Sequence, residues 1–72
     1  MNRTDRIVRG LLRETFLITT KAGQTWEGVL MQADPSTLML FDAAMIHPDG
    51  NRTRADGSVF LPRADVAYMQ RV

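Results

Sequence analysis

Between residues 23 and 42 the chain sets two glycines five residues apart, Gly23 and Gly28, ahead of Leu30, Asp34 and an apolar run, Leu38-Met39-Leu40-Phe41, that ends on Asp42. A glycine at a hairpin tip supplies a positive φ. A glycine inside a strand marks a bulge, a sharp bend or a close backbone approach. After a polar stretch a second block runs from Gly57 through Val59-Phe60-Leu61 and Pro62-Arg63-Ala64-Asp65 to Val66, Tyr68 and Met69. Both blocks read as strands that turn sharply and continue, which restricts the chain to a small, strongly bent antiparallel sheet.

The remaining segments supply the elements around these blocks. Residues 4–14 read as a helix: Thr4 serves as N-cap, Asp5 favours the positive helix end, and Ile7, Val8, Leu11 and Leu12 share one side. Arg6, Arg9 and Arg13 line the other side, and Gly10 weakens the helix by about 1 kcal/mol relative to alanine. Residues 15–21, with Phe16, Ile18, Thr19 and Thr20, have strand composition. A tight connection over residues 21–24 leads to a second strand over residues 25–33. Asp34, Pro35, Ser36 and Thr37 make a turn, in which Asp34 bonds the backbone two residues on. Residues 38–46 form the third strand, residues 47–57 have loop composition, and residues 58–61 and 66–71 are two short strands. Pro62 stops ladder pairing between them. The reading is mainly β: an N-terminal α-helix over residues 4–14, then a five-stranded, strongly bent antiparallel open barrel over residues 15–72, for which OB-folds and Sm-like or SH3-like barrels are the candidates.

With 72 residues, one domain spanning 1–72 is the only sensible count. Small scaffolds commonly gain stability from disulfides, metals or association. There is no cysteine and a single histidine, so disulfide and thiolate-metal staples are excluded and no metal site or cofactor is expected. Self-association is the stabiliser that remains. Open sheets also have edges that must be covered, blunted or paired. Val59, Phe60, Leu61, Val66, Tyr68 and Met69, on the last two strands, are the candidate interface with a neighbouring copy.

A formal net charge of +1 gives no broad basic surface, yet eight of the nine basic residues are arginines, whose planar forks suit phosphates and stack on bases. No stretch reaches membrane-spanning length and the start lacks a secretory apolar core, so no membrane partner and a cytoplasmic setting are expected. No nucleophile, base and orienting group can be assembled and no phosphate-binding glycine loop occurs, so enzyme activity is not expected. Asp49, Asn51 and Thr53 alternate like the start of a calcium loop, but Arg54 and Phe60 stand where glycine and glutamate would be needed, which rejects calcium. His47 reads as a loop residue, Trp26 as a packing residue at the bend, and Met31, Met39, Met45 and Met69 as core or interface filler.

From Thr15 to Val72 the sequence resembles the Sm/Lsm family, here as a divergent member. The first motif of that family is matched without a gap by Gly23, Gly28, Leu30, Asp34, Met39-Leu40-Phe41 and Asp42. Its second motif, an apolar triplet, a two-residue Arg-Gly turn, two polar residues and another apolar stretch, falls on Val59-Phe60-Leu61, Pro62-Arg63, Ala64-Asp65 and Val66-Ala67-Tyr68-Met69. The resemblance implies a closed head-to-tail ring of about six or seven copies, in which the fourth strand of one subunit pairs with the fifth of the next. It also implies single-stranded RNA as a partner. The departures sit at the base-reading positions. The stacking position falls on Thr37, the asparagine position on Leu38, and the arginine position on Pro62, with Arg63 one residue later.

The site expected from this reading is Ser36 and Thr37 for hydrogen bonds and Arg63 for stacking or phosphate, with Arg52 and Arg54 as secondary RNA contacts. The alternatives for these arginines are plain solvation or, for Arg63, pairing with Asp65 or with Asp34 of a neighbour. Two functions follow: a homo-oligomeric ring that binds single-stranded RNA, or a ring-forming structural or assembly module without an RNA role. A monomeric SH3-like or OB-like adaptor is a third.

Overall fold

The computed structural model describes residues 10–72. Its strands are β1 (Thr15–Thr20), β2 (Thr25–Ala33), β3 (Thr37–Ile46), β4 (Arg52–Arg54), β5 (Ser58–Pro62) and β6 (Val66–Arg71), with a 3-10 turn at Arg63–Asp65 between the last two. They form one antiparallel sheet in the order β4-β3-β2-β1-β6, with β5 also paired to β3. The mainly β, bent-sheet expectation therefore holds. Of the helix expected over residues 4–14, residues 4–9 lie outside the described region. Residues 10–13 form a turn in which Glu14 N–H donates to the Leu11 carbonyl at 3.2 Å, and Arg13 takes a φ of 71°.

The connections follow their composition. Gly23 has a φ of 88° and closes the β1–β2 hairpin by donating its N–H to the Thr20 carbonyl at 2.9 Å. The long polar segment departs from expectation. Residues 52–54 are not loop but the short strand β4, paired with the far half of β3 through Ala44–Arg54, Met45–Thr53 and Ile46–Arg52. All three β4 residues are exposed, so nothing in their side-chain pattern announces a strand. The backbone of β3 recruits them. One edge of β3 is thus shared, with β5 along its first half and β4 along its second.

The bend is built from two opposed insertions. Between the pairs Glu27–Ala44 and Val29–Phe41, β2 carries Gly28 alone while β3 carries both Asp42 and Ala43. Asp42 absorbs the extra residue with a φ of 54°. Between Leu30–Leu40 and Gln32–Met39 the surplus is on β2, at Met31. Bulges bend the strand that carries them and raise local twist. Two on facing strands a few residues apart curl the sheet over its own inner face.

That face holds Phe16, Ile18, Leu30, Ala33, Leu38, Leu40, Ala43 and Leu61, with Leu11, Trp26, Val59, Val66 and Met69 packed against them. Trp26 therefore packs as read from sequence. Met39, Met45 and Met69 are half-buried while Met31, at its bulge, is exposed. Among the described residues the curl stops short of closure: β5 and β4 pair only with β3, and β6 only with β1, so each has one edge without a strand partner there.

Candidate nucleic-acid interface

The turn between β2 and β3 is organised by one carboxylate. Asp34 Oδ1 accepts the Ser36 N–H at 2.9 Å, the Thr37 N–H at 2.8 Å and the Ser36 hydroxyl at 3.1 Å. The Asp34 N–H in turn donates to the Thr37 carbonyl at 3.0 Å. Those donors favour the ionised form: the Ser36 and then the Thr37 N–H lower the Asp34 pKa, partial desolvation opposes them, and the Ser36 hydroxyl and the Arg63 charge add to the lowering.

The second half of the site comes from the other end of the sequence. Thr37 pairs with Pro62 at the start of the β3–β5 ladder, and the Arg63 N–H donates to the Ser36 carbonyl at 2.9 Å. Ser36, Thr37 and Arg63 are thereby brought together at one end of the sheet. The adjoining Leu38 is 1% exposed and belongs to the core. Its side chain has no polar atom and is enclosed by the core, so it offers no hydrogen-bonding group at the surface.

Arg52 and Arg54 lie at the opposite end of β3, away from this group. Arg52 pairs with Glu27 and Arg54 with Asp42. These four and Ala44 line a shallow hollow of about 370 Å³, whose charges neutralise one another. The sequence reading missed these partners. The available signal was the alternation Arg-Thr-Arg, which puts both guanidiniums on one face of a strand.

The six candidate interface residues divide between the two faces. Leu61 is buried and Val59, Val66 and Met69 pack on the core, whereas Phe60 and Tyr68 are 62% and 55% exposed. All six are carried by β5 and β6, which among the described residues each pair with a single strand, as β4 also does.

A second hollow, of about 440 Å³, is lined by Thr20, Lys21, Ala22, Gln24, Leu61, Pro62 and Asp65. The Lys21 N–H donates to the Asp65 carbonyl at 2.7 Å and ties the β1–β2 hairpin to the 3-10 turn. This proximity was not legible, since it joins a hairpin near residue 22 to a turn near residue 64.

No protein-family model and no curated protein matches the chain. Solved structures do. A heptameric archaeal Sm protein aligns over 93% of this chain and 97% of its own with a TM-score of 0.83 and 22% identity. The SmAP1 heptamer of Pyrobaculum aerophilum aligns over 100% and 96%, with a TM-score of 0.87 and 20% identity. The Sm protein of Pyrococcus abyssii, solved in complex with a uridine heptamer, aligns over 99% and 100%, with a TM-score of 0.84 and 24% identity. At these identities the likeness is one of fold, and the chain has the Sm fold.

Proposed function

We propose that this Sm-fold chain closes into a ring of identical copies, about six or seven, by joining the β5 edge of one copy to the β6 edge of the next, and that the ring binds single-stranded RNA through Ser36, Thr37 and Arg63. The observation that carries the ring is that, among the described residues, β5 and β6 each have one edge without a strand partner. Unpaired edges left bare invite uncontrolled association, and a core this small gains from burial against a neighbour. Two of the similar archaeal proteins are heptamers and a third was solved with uridine RNA, which supports the same reading here. Val59, Phe60, Leu61, Val66, Tyr68 and Met69 supply the apolar part of the contact.

For RNA, the support is the backbone hydrogen bond from the Arg63 N–H to the Ser36 carbonyl, which joins the 3-10 turn to the turn that carries the Ser36 and Thr37 hydroxyls. Arg52 and Arg54 are assigned a secondary part, in which a phosphate competes with Glu27 and Asp42 for their guanidiniums. The protein acts by binding and not by catalysis, in the cytoplasm. Among the described residues no helix is long and apolar enough to cross a membrane.

A second reading keeps the ring and drops the RNA, making the protein an assembly module. Leu38, sealed in the core where a base-reading side chain would stand, favours it. Solution mass and anisotropy with short oligoribonucleotides separate the readings. The first expects a multiple of the chain mass, binding that weakens steeply with salt, and loss of affinity in Arg63→Ala without loss of the ring. A ring that binds no RNA at low salt leaves the assembly module, and a stable single chain removes both.

A further inference from the structure

Asp34 Oδ1 takes one donor more than the backbone of its turn requires. The Ser36 N–H at 2.9 Å and the Thr37 N–H at 2.8 Å fix the main chain, and the Ser36 hydroxyl donates to the same oxygen at 3.1 Å. An ionised carboxylate only accepts, and a serine hydroxyl has a single proton. That proton is committed to Asp34, so Ser36 Oγ is left with lone pairs alone. The Thr37 hydroxyl stands 3.4 Å from Ser36 Oγ, and its proton is the one the pair can still offer. An acceptor-only oxygen and a hydroxyl able to donate thus lie side by side.

The pair is within reach of a ligand. Ser36 is exposed and Thr37 half-buried, and Thr37 alternates with the buried Leu38, so its side chain lies on the outer face of the sheet. The turn belongs to the β2–β3 connection and not to the edges of β5 and β6 that the proposed ring joins. Its backbone is pinned twice more, by the Asp34 N–H on the Thr37 carbonyl at 3.0 Å and by the Arg63 N–H on the Ser36 carbonyl at 2.9 Å.

We infer that Ser36 and Thr37 read the ribose 2′-hydroxyl of the nucleotide bound here, so that the site selects RNA over DNA by its sugar and not by its base. The inference rests on the RNA-binding reading above. A hydroxyl donates and accepts at one oxygen. The 2′-hydroxyl therefore donates to Ser36 Oγ and accepts from the Thr37 hydroxyl, which satisfies both halves of the pair. Deoxyribose has neither function at that carbon. A base edge carries its donors and acceptors on separate atoms, and Leu38 adds no polar atom from which such a contact could be extended. The 2′-hydroxyl is also the group by which a protein tells the two nucleic acids apart. Asp34 sets the direction of the Ser36 proton and so makes this oxygen the receiving one.

The test is fluorescence anisotropy of the intact protein with uridine pentamers that differ only in the sugar: ribo, deoxy and 2′-fluoro. The fluoro sugar keeps an RNA-like pucker but cannot donate, so it reads the direction of the Ser36 proton. The expected result is tighter binding of the ribo than of the deoxy pentamer by about tenfold or more, the discrimination of two ordinary hydrogen bonds, and of the ribo than of the fluoro pentamer by about threefold or more. Ser36→Ala and, independently, Thr37→Val lower the ribo-to-deoxy ratio by about threefold or more with the assembly mass kept, while Thr37→Ser, which retains the hydroxyl, preserves it. A merely structural part for these hydroxyls would weaken both sugars alike. A deoxy or fluoro pentamer bound as tightly as the ribo form, or a loss in Ser36→Ala and Thr37→Val shared equally by the ribo and deoxy sugars, overturns the inference while leaving the Arg63 contact standing. Binding of none of the three removes the RNA reading itself.

Discussion

Gly28 on β2 lies so close to Ala43 on β3 that a Cβ added to Gly28 would stand 3.1 Å from the Ala43 Cβ, and 3.1 Å from the Leu40 Cβ as well. This is the inside of the bend, where β3 carries an extra residue across from a single residue of β2. Both neighbours are buried, so neither has room to withdraw. Gly28→Ala is expected to cost about 1–3 kcal/mol, seen as a lower urea midpoint at unchanged slope.

Asp42 holds the other half of that bend in the left-handed region, at a φ of 54°. Short polar side chains tolerate this conformation and β-branched ones do not. Asp42→Val is expected to destabilise by about 2 kcal/mol or more, the left-handed cost added to crowding at the bulge. Asp42→Gly is expected to stay within about 1 kcal/mol of the parent, because relief of the left-handed cost offsets the exposed ion pair with Arg54. Thermal unfolding of both variants checks the order.

Thr37 and Leu38 stand side by side but respond oppositely to attempts at building a base pocket. Leu38→Asn buries an amide where the parent is 1% exposed, and is expected to cost about 3 kcal/mol or more with no gain in RNA affinity. Thr37→Tyr places an aromatic plane at the half-buried first residue of β3. It is expected to raise the affinity for oligouridine about fivefold or more, since base stacking contributes about 1–3 kcal/mol. Anisotropy titrations beside denaturant melts read both effects.

The Asp34 carboxyl titrates below its ordinary value of 3.8, because it accepts the Ser36 and Thr37 N–H groups. A depressed folded-state pKa means that the unfolded chain holds the proton more tightly. The contribution is therefore complete above the unfolded value and is lost as pH falls through the lower folded value. Acid destabilisation in this window should be shallower in Asp34→Asn than in the parent. Stability measured against pH below 5, with the Asp34 shift followed by NMR, tests the sign.

Local chemistry made much of the frame legible. The hairpin at Gly23 and the Asp34 turn are set by residues within a few positions of one another, and each formed where composition indicated. The β-branched and aromatic composition around Phe16 and Ile18 likewise marked the first strand. The short strand β4 was not legible, because Arg52, Thr53 and Arg54 bury nothing and are strand only through the β3 backbone beside them. The candidate site was legible as residue types. Its assembly was not: nothing near Ser36 indicates that the Arg63 N–H will reach its carbonyl, or that Lys21 will be tied to Asp65.

The amino-acid order alone determined that this chain is a small bent sheet, because β-branched and aromatic composition, turn residues and an interior glycine act over a handful of neighbouring positions. The tertiary structure alone decided that the bend is shared between Gly28 and the bulge at Asp42, that Leu61, Val59, Val66 and Met69 turn inward while Phe60 and Tyr68 face out, and that Arg52 and Arg54 meet Glu27 and Asp42. Those outcomes depend on register, and register is settled by which distant strands pair, since a slip of one residue sends every side chain to the other face.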